Sequence, residues 1–402
     1  PNRKLFYWQT ISNFLYIIVL LILAGVAISL TIGQNGIFAR AQNAVNVYEQ
    51  AATNEQSELG KAEDIMDEYL NGNGGNQGGD TGDGDYNTGT TVEEAKNQNK
   101  PFENDTTITD SCTPANSIRV PAGFKIAEDS ALTVEDGVVI EDKDGNQFVW
   151  IPAKTEAEGG ATINLAAGGT ANVVYRRTDF GKQNGNYSNY SETMPSDEEA
   201  SVNAWGGYYI GRFEAGDKES TEAKTMRSAS QENTITIKKD QAPYNYITQA
   251  NAKIKAEGMD DVQEYATATT KLVSSYAWDT AISYIQIKNS DYGTNSPEGN
   301  YYNSNSFTYT DITGASQTKN NNSSTFVPTG QTTAVSNIYD MGGNLWEYTT
   351  ESSSDDYGPY VDRGGDSYST YDNNPAGYRI GNGGYAGSSF GFRVTLYCST
   401  ES

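Results

Sequence analysis

From Phe14 to Ile32 the chain reads FLYIIVLLILAGVAISLTI without one charged residue. As a helix this run would rise about 28 Å, enough to cross a bilayer. Arg3 and Lys4 precede it and the first acidic residue is Glu49, so the charge asymmetry predicts a cytoplasmic N-terminus with the remainder outside the cell. After the turn signal Gly33-Gln34-Asn35-Gly36, the positions Ala41, Val45, Tyr48, Ala52, Glu55, Leu59, Ala62, Met66 and Tyr69 alternate by four and three. That spacing continues a helix, with Glu55 the one break in its seam. The pattern therefore predicts a helix over 1–70 whose first part is long enough to span a membrane. A glycine-rich linker follows over 71–91, NGNGGNQGGDTGDGDYNTGTT, and a head over 92–402.

Within the head the patterning changes. Short runs rich in β-branched and aromatic residues, Gly137 to Ile140, Phe148 to Pro152, Tyr208 to Glu214, Thr234 to Ile237 and Phe390 to Tyr397, predict strands. Helical spacing is confined to Tyr244 to Ala256 and to Ala277 to Ile287, where Trp278, Ile282 and Ile285 share a face. Much of the rest, Asn289 to Ser324 above all, reads as loop rich in Asn, Ser and Tyr. The fold class expected is α+β: a long N-terminal helix, then a mixed head with much irregular chain.

Charge and composition narrow the function. The chain carries a net charge of -25; Arg3, Lys4 and Arg40 make residues 1–48 positive by 3, which leaves -28 on residues 49–402. Such a surface repels nucleic acid. Histidine is absent, which removes the usual general base and the commonest zinc or iron ligand. Most of the 52 acidic residues read as solvated surface. In an extracellular chain the two cysteines, Cys112 and Cys398, predict a disulfide, with two free thiols as the other reading. Asp80, Asp83 and Asp85 lack the closing glutamate of a calcium loop and fit a solvated linker.

Two stretches carry resemblances. The apolar half-helix, glycine break and amphipathic continuation over about residues 17 to 70 resemble type IV pilins. The resemblance implies a structural subunit that is membrane-inserted before assembly and then self-associates into a helical extracellular filament on the cell surface, with Leu15, Ile18, Leu21, Leu23, Val26 and Leu30 in the filament core. A monomeric surface adhesin held by a membrane anchor is the other reading. The ordered motifs FVWIPA (148 to 153), GGYYIGRFEAG (206 to 216), AWDTAISYIQ (277 to 286), NIYDMGGNLWEYT (337 to 349), RGG (363 to 365) and GFRV (391 to 394) resemble the formylglycine-generating-enzyme or sulfatase-modifying-factor family. That resemblance implies a C-type-lectin-like fold.

It does not imply the family's activity. The catalytic cysteines of its oxygen-dependent members follow RGG, and here no cysteine lies between Arg363 and Arg379; its iron-dependent relatives use histidines. The resemblance further implies a structural calcium ion held by Asp340, Glu347 and the carbonyls of Gly343 and Leu345. The other reading is a turn in which Asp340 caps backbone amides and Glu347 pairs with Arg363 or Arg393. Finally, the segment Asp366 to Phe390 is built from Tyr, Ser, Gly, Asn and Asp, the side chains that join rigid aromatic area to adaptable hydrogen bonding in binding surfaces. It resembles the variable region of diversified lectin-fold proteins. Tyr368, Tyr371, Tyr378 and Tyr385, with Asp372 and Asn373, are the candidate contacts for a carbohydrate, protein or surface ligand, the other reading being a solvated loop.

Overall fold

The computed structural model describes residues 89–220, 233–355 and 358–400. The expectations for 1–70, filament-core positions included, and for nearly all of the linker fall outside these residues. What is described corrects the α+β expectation: the head is mostly β-sheet, and its longest helix has 11 residues. No helix among the described residues is long and apolar enough to cross a membrane, so the expected transmembrane helix has no counterpart there.

The strands of the two larger sheets are β1 (Lys125–Ile126), β2 (Val139–Glu141), β3 (Gln147–Pro152), β4 (Gly207–Gly211), β5 (Ala268–Leu272), β6 (Trp346–Ser353), β7 (Tyr360–Arg363), β8 (Arg379–Asn382), β9 (Phe390–Phe392) and β10 (Val394–Cys398). The helices are α1 (Val92–Gln98), α2 (Ser196–Trp205), α3 (Gln249–Glu257), α4 (Met259–Gln263) and α5 (Ser275–Ile285).

A six-stranded antiparallel sheet runs in the order β5-β10-β4-β3-β2-β1. Its middle strands are buried on both faces: β3, from Phe148 onward, and all of β4 and β10 are inaccessible. This accounts for their nearly continuous apolar sequences. Gly207 is required where β4 meets β3, since a Cβ there would lie 2.5 Å from the Ile151 carbonyl and the Trp150 ring. Helix α5 packs into the same core. Ser274 caps it by accepting from the Ala277 amide at 3.1 Å, and Trp278, Ala281, Ile282 and Ile285 are wholly buried.

The second sheet runs β8-β7-β6-β9, with Tyr190–Ser191 paired to the end of β6. The register places Glu347, Arg363 and Arg379 in one cross-strand row and Tyr348, Asp362 and Ile380 in the next. Because alternate residues of a strand face opposite ways, one face of this sheet carries Arg363 and Arg379 to Asp279 of α5 and the other carries Tyr348, Asp362 and Ile380. Between Asn289 and Ser324 the expected loop contains a hairpin, Phe307–Thr310 with Ser316–Lys319. All but one of its strand residues are at least partly exposed, and the alternation of Phe307 and Tyr309 with Thr308 and Thr310 buries neither ring fully.

Candidate binding surface of tyrosine and amide loops

The turn after β7 is built on Gly364 and Gly365, both at positive φ of +88° and +75°. Beyond it, Asp366 is buried, and its Oδ1 accepts from the Tyr368 amide at 3.1 Å, the Ser369 amide at 3.0 Å and the Ser369 hydroxyl at 2.7 Å. This knot holds the loop while leaving the Tyr368 side chain 60% exposed. The Ser369 carbonyl accepts from the Tyr302 amide at 2.8 Å. Asn303 accepts from the Tyr371 amide at 3.1 Å and donates to Asp372 at 3.2 Å. Asn373 donates to Thr370 at 2.8 Å, and Lys182 donates to the Asp372 carbonyl at 2.7 Å.

The rings are seated as well. Tyr368 meets Phe326 edge-on with centroids 5.7 Å apart, and Tyr371 meets the buried Tyr301 at 6.4 Å. Sequence reasoning missed Tyr302, Asn303 and Phe326, which come from a segment 40 to 70 residues upstream; the run of Asn, Ser and Tyr there was the available signal. Beneath them lies Lys319, wholly buried, its ammonium donating to the carbonyls of Tyr301 and Tyr302. Burial pushes that ammonium down to about 8.

Tyr378 and Tyr385 belong to a different group. Tyr378 packs against Trp346 at 5.8 Å, and the Tyr385 carbonyl accepts from the Tyr348 hydroxyl at 2.8 Å while its own ring is 68% exposed. Tyr348 in turn stacks on Phe390 at 5.7 Å. Asp362, in the row of Tyr348, is buried with Asn382 donating to one oxygen at 2.7 Å and the other oxygen without a partner. Burial pushes its carboxyl well above the usual range. The six expected contacts thus divide into a Tyr368, Tyr371, Asp372 and Asn373 cluster and a Tyr378 and Tyr385 cluster.

The positions expected to hold calcium are engaged internally. Asp340 is buried and accepts from the Gly330 amide at 2.6 Å and the Thr332 hydroxyl at 2.9 Å. Glu347 is gripped by Arg393 through Nε at 3.0 Å and Nη2 at 2.7 Å. Gly343, at φ of +71°, makes the turn against the Asn300 carbonyl, and Leu345 is core. Among the described residues no group of three or more carboxylates and thiols is gathered as for a metal ion. The expected disulfide is corrected. Both cysteines are free, Cys112 exposed and Cys398 buried, with burial raising the Cys398 thiol far above its ordinary value.

Sequence reasoning also placed the acids on the surface, whereas several lie in the core. Arg363 and Arg379 are both bound to Asp279, and Arg379 also pairs with Glu351 at 3.0 Å, all four side chains being inaccessible. Arg177 joins Glu351 from the edge.

No family model and no curated protein matches the chain. Among solved structures, one titled "Crystal Structure of CarF" is 16% identical, covers 48% of this chain and 86% of its own, and superposes with a TM-score of 0.32. At that score the likeness carries no argument for fold or function.

Proposed function

We propose that the chain is a structural subunit of a pilus-like extracellular filament whose acidic head binds a surface or ligand and performs no catalysis. The observation that carries the binding part is the Tyr368 loop: exposed aromatic rings standing on a buried base hydrogen-bonded through Asp366 and Ser369. Of the five large hydrophobic side chains exposed among the described residues, Tyr302, Tyr368 and Tyr385 come from these loops. Rigid tyrosines that lose little entropy on contact, flanked by amides and carboxylates, suit protein or carbohydrate recognition. The head's charge of the same sign as nucleic acid speaks against that partner.

The assembly part is supported by the sequence of residues 14–70. An apolar run of this length displayed outside a membrane needs burial by other copies. Absence of catalysis is supported by the missing histidines and by the cysteine-free stretch between Arg363 and Arg379. The test combines Tyr302→Ala, Tyr368→Ala and Asp372→Ala in the full chain and measures attachment beside filament yield. Lost attachment with unchanged yield is expected; unchanged attachment moves the loops into the solvated class.

A further inference from the structure

Lys319 is the one buried residue in the strands of the hairpin Phe307–Thr310 with Ser316–Lys319. A lysine on so exposed a ribbon can ordinarily carry its charge out to water. Here the side chain turns inward, and its ammonium donates to the carbonyls of Tyr301 and Tyr302. Two residues on, the Asn321 side chain donates to the carbonyls of Asn303 at 3.1 Å and Ser304 at 2.9 Å. Four successive carbonyls are thus held by two side chains from the end of the hairpin. The same stretch seats the loop after β7: the Tyr302 amide donates to the Ser369 carbonyl, and Asn303 bonds both the Tyr371 amide and Asp372. Whatever shifts 301–304 therefore shifts both halves of the tyrosine surface.

The charge on Lys319 is poorly served there. An ammonium carries three donors, and among the described residues this one meets two carbonyls and no carboxylate. The carboxylates of the adjoining segments are Glu298, Asp311, Asp366 and Asp372, and the phenols are Tyr301, Tyr302 and Tyr309; among the described residues none pairs with it. Asp311 and Asp372 are held below the usual carboxylate range by hydrogen bonds within their own turns. The Tyr301 hydroxyl donates to the Gly364 carbonyl at 3.0 Å. A buried charge without a counter-ion favours the neutral amine, whose two hydrogens match the two carbonyls.

We propose that the end of this hairpin is a clamp that sets the tyrosine surface, with Lys319 as its positioning residue, and that the clamp closes more firmly as Lys319 gives up its proton. What the surface is for rests on the binding function proposed above; the clamp itself does not. Burial lowers the ammonium to about 8, whereas an opened segment returns Lys319 to water and to an ordinary lysine pKa. Between those values opening takes up a proton, so rising pH opposes it.

The test follows hydrogen exchange of the full chain, corrected for intrinsic rates, in peptides covering 299–306, 366–373 and β3. Between about pH 7 and about pH 9, protection of the first two is expected to rise about ten-fold in the parent, and that of β3 is expected not to rise. Lys319→Met has no proton to lose, and Lys319→Arg keeps its proton throughout; each is expected to abolish the rise in both peptides. A parent without the rise would overturn the proposal, as would either variant retaining it. A rise in 299–306 alone would show the clamp stopping short of the loop after β7 and overturn it equally. A rise shared by β3 would assign the effect to global stability and do the same. No ligand enters the readout, so a failed clamp and a failed binding surface show separately.

Discussion

Glu198 lies beneath Tyr175 and Ser274, which donate to the same carboxylate oxygen at 2.5 and 2.8 Å. Burial pushes its carboxyl up to about 7, and those hydrogen bonds only partly oppose the shift. Glu192, Glu214 and Asp362 are raised by burial as well. A carboxyl whose folded pKa exceeds its unfolded value holds more protons in the folded state, so stability falls as pH rises through that interval. The melting temperature of the full chain is therefore expected to decline from about pH 5 to about pH 8. Glu198→Gln preserves both hydrogen bonds without a charge. It should flatten part of that decline, worth on the order of 2 kcal/mol. A variant with the parent's pH profile would show that Glu198 titrates normally. None of this was legible in the sequence, where a carboxylate in SDEEASV reads as one more solvated acid at the start of a helix.

At the scale of the element, the strands and helices separate what sequence could and could not tell. The strand Phe148 to Pro152 was legible because burial on both faces leaves an unbroken apolar run, and the structure places β3 there; of the expected Tyr208 to Glu214 only Tyr208 to Gly211 is strand, and Arg212 to Glu214 lie beyond its end. The helix expected from Tyr244 begins at Gln249 instead, since Tyr246 sits at positive φ of +53° and Thr248 caps the helix through the Asn251 amide. The hairpin Phe307–Thr310 with Ser316–Lys319 was illegible because its alternation spans only four residues and its partner strand is polar throughout. The ionic core was illegible for the converse reason: Asp279, Glu351, Arg363 and Arg379 are charged and buried, and only the fold shows them paired. Asp279→Asn would leave Arg363 and Arg379 sharing Glu351, and is expected to lower stability by about 3 to 5 kcal/mol in denaturant unfolding. A change near zero would mean that water replaces the carboxylate.

The Glu347 and Arg393 pair yields a second prediction for this sheet. Calcium would need oxygens that Arg393, Gly330 and Thr332 already occupy. Millimolar calcium is therefore expected to leave the melting temperature unchanged, and Asp340→Ala is expected to lower it with or without the ion, by about 1 to 3 kcal/mol for the abandoned amide and hydroxyl. An upward shift with calcium that Asp340→Ala abolishes would show that Arg393 gives way to the ion.

At the scale of the whole molecule, the chain pairs an apolar N-terminal segment with a mostly β-sheet head. Part of the proposed surface was legible: the Tyr, Asn and Asp vocabulary after RGG marked Tyr368, Tyr371, Asp372 and Asn373, which the structure brings into one cluster. Its other half was not, because Tyr302, Asn303 and Phe326 reach it only through the fold. On the assembly side, Leu21→Asp introduces a charge where the proposed self-association would demand an apolar surface, at a cost of several kcal/mol per subunit, about what an unpaired buried polar group costs. Electron microscopy should then find filaments from the parent and none from the variant. Filaments at parental yield would refute packing through residues 14–32.

The most direct measurement of the central claim is an array of immobilised glycans and proteins probed with labelled full chain, parent against the Tyr302→Ala, Tyr368→Ala and Asp372→Ala triple variant. These residues sit at or near the surface on a base held by Asp366, Ser369 and Asn303, so the variant should retain the parent's melting temperature within about 1 kcal/mol of stability. The account predicts a set of spots marked by the parent and lost by the variant. A variant that keeps every spot, or a parent that marks none, would contradict it.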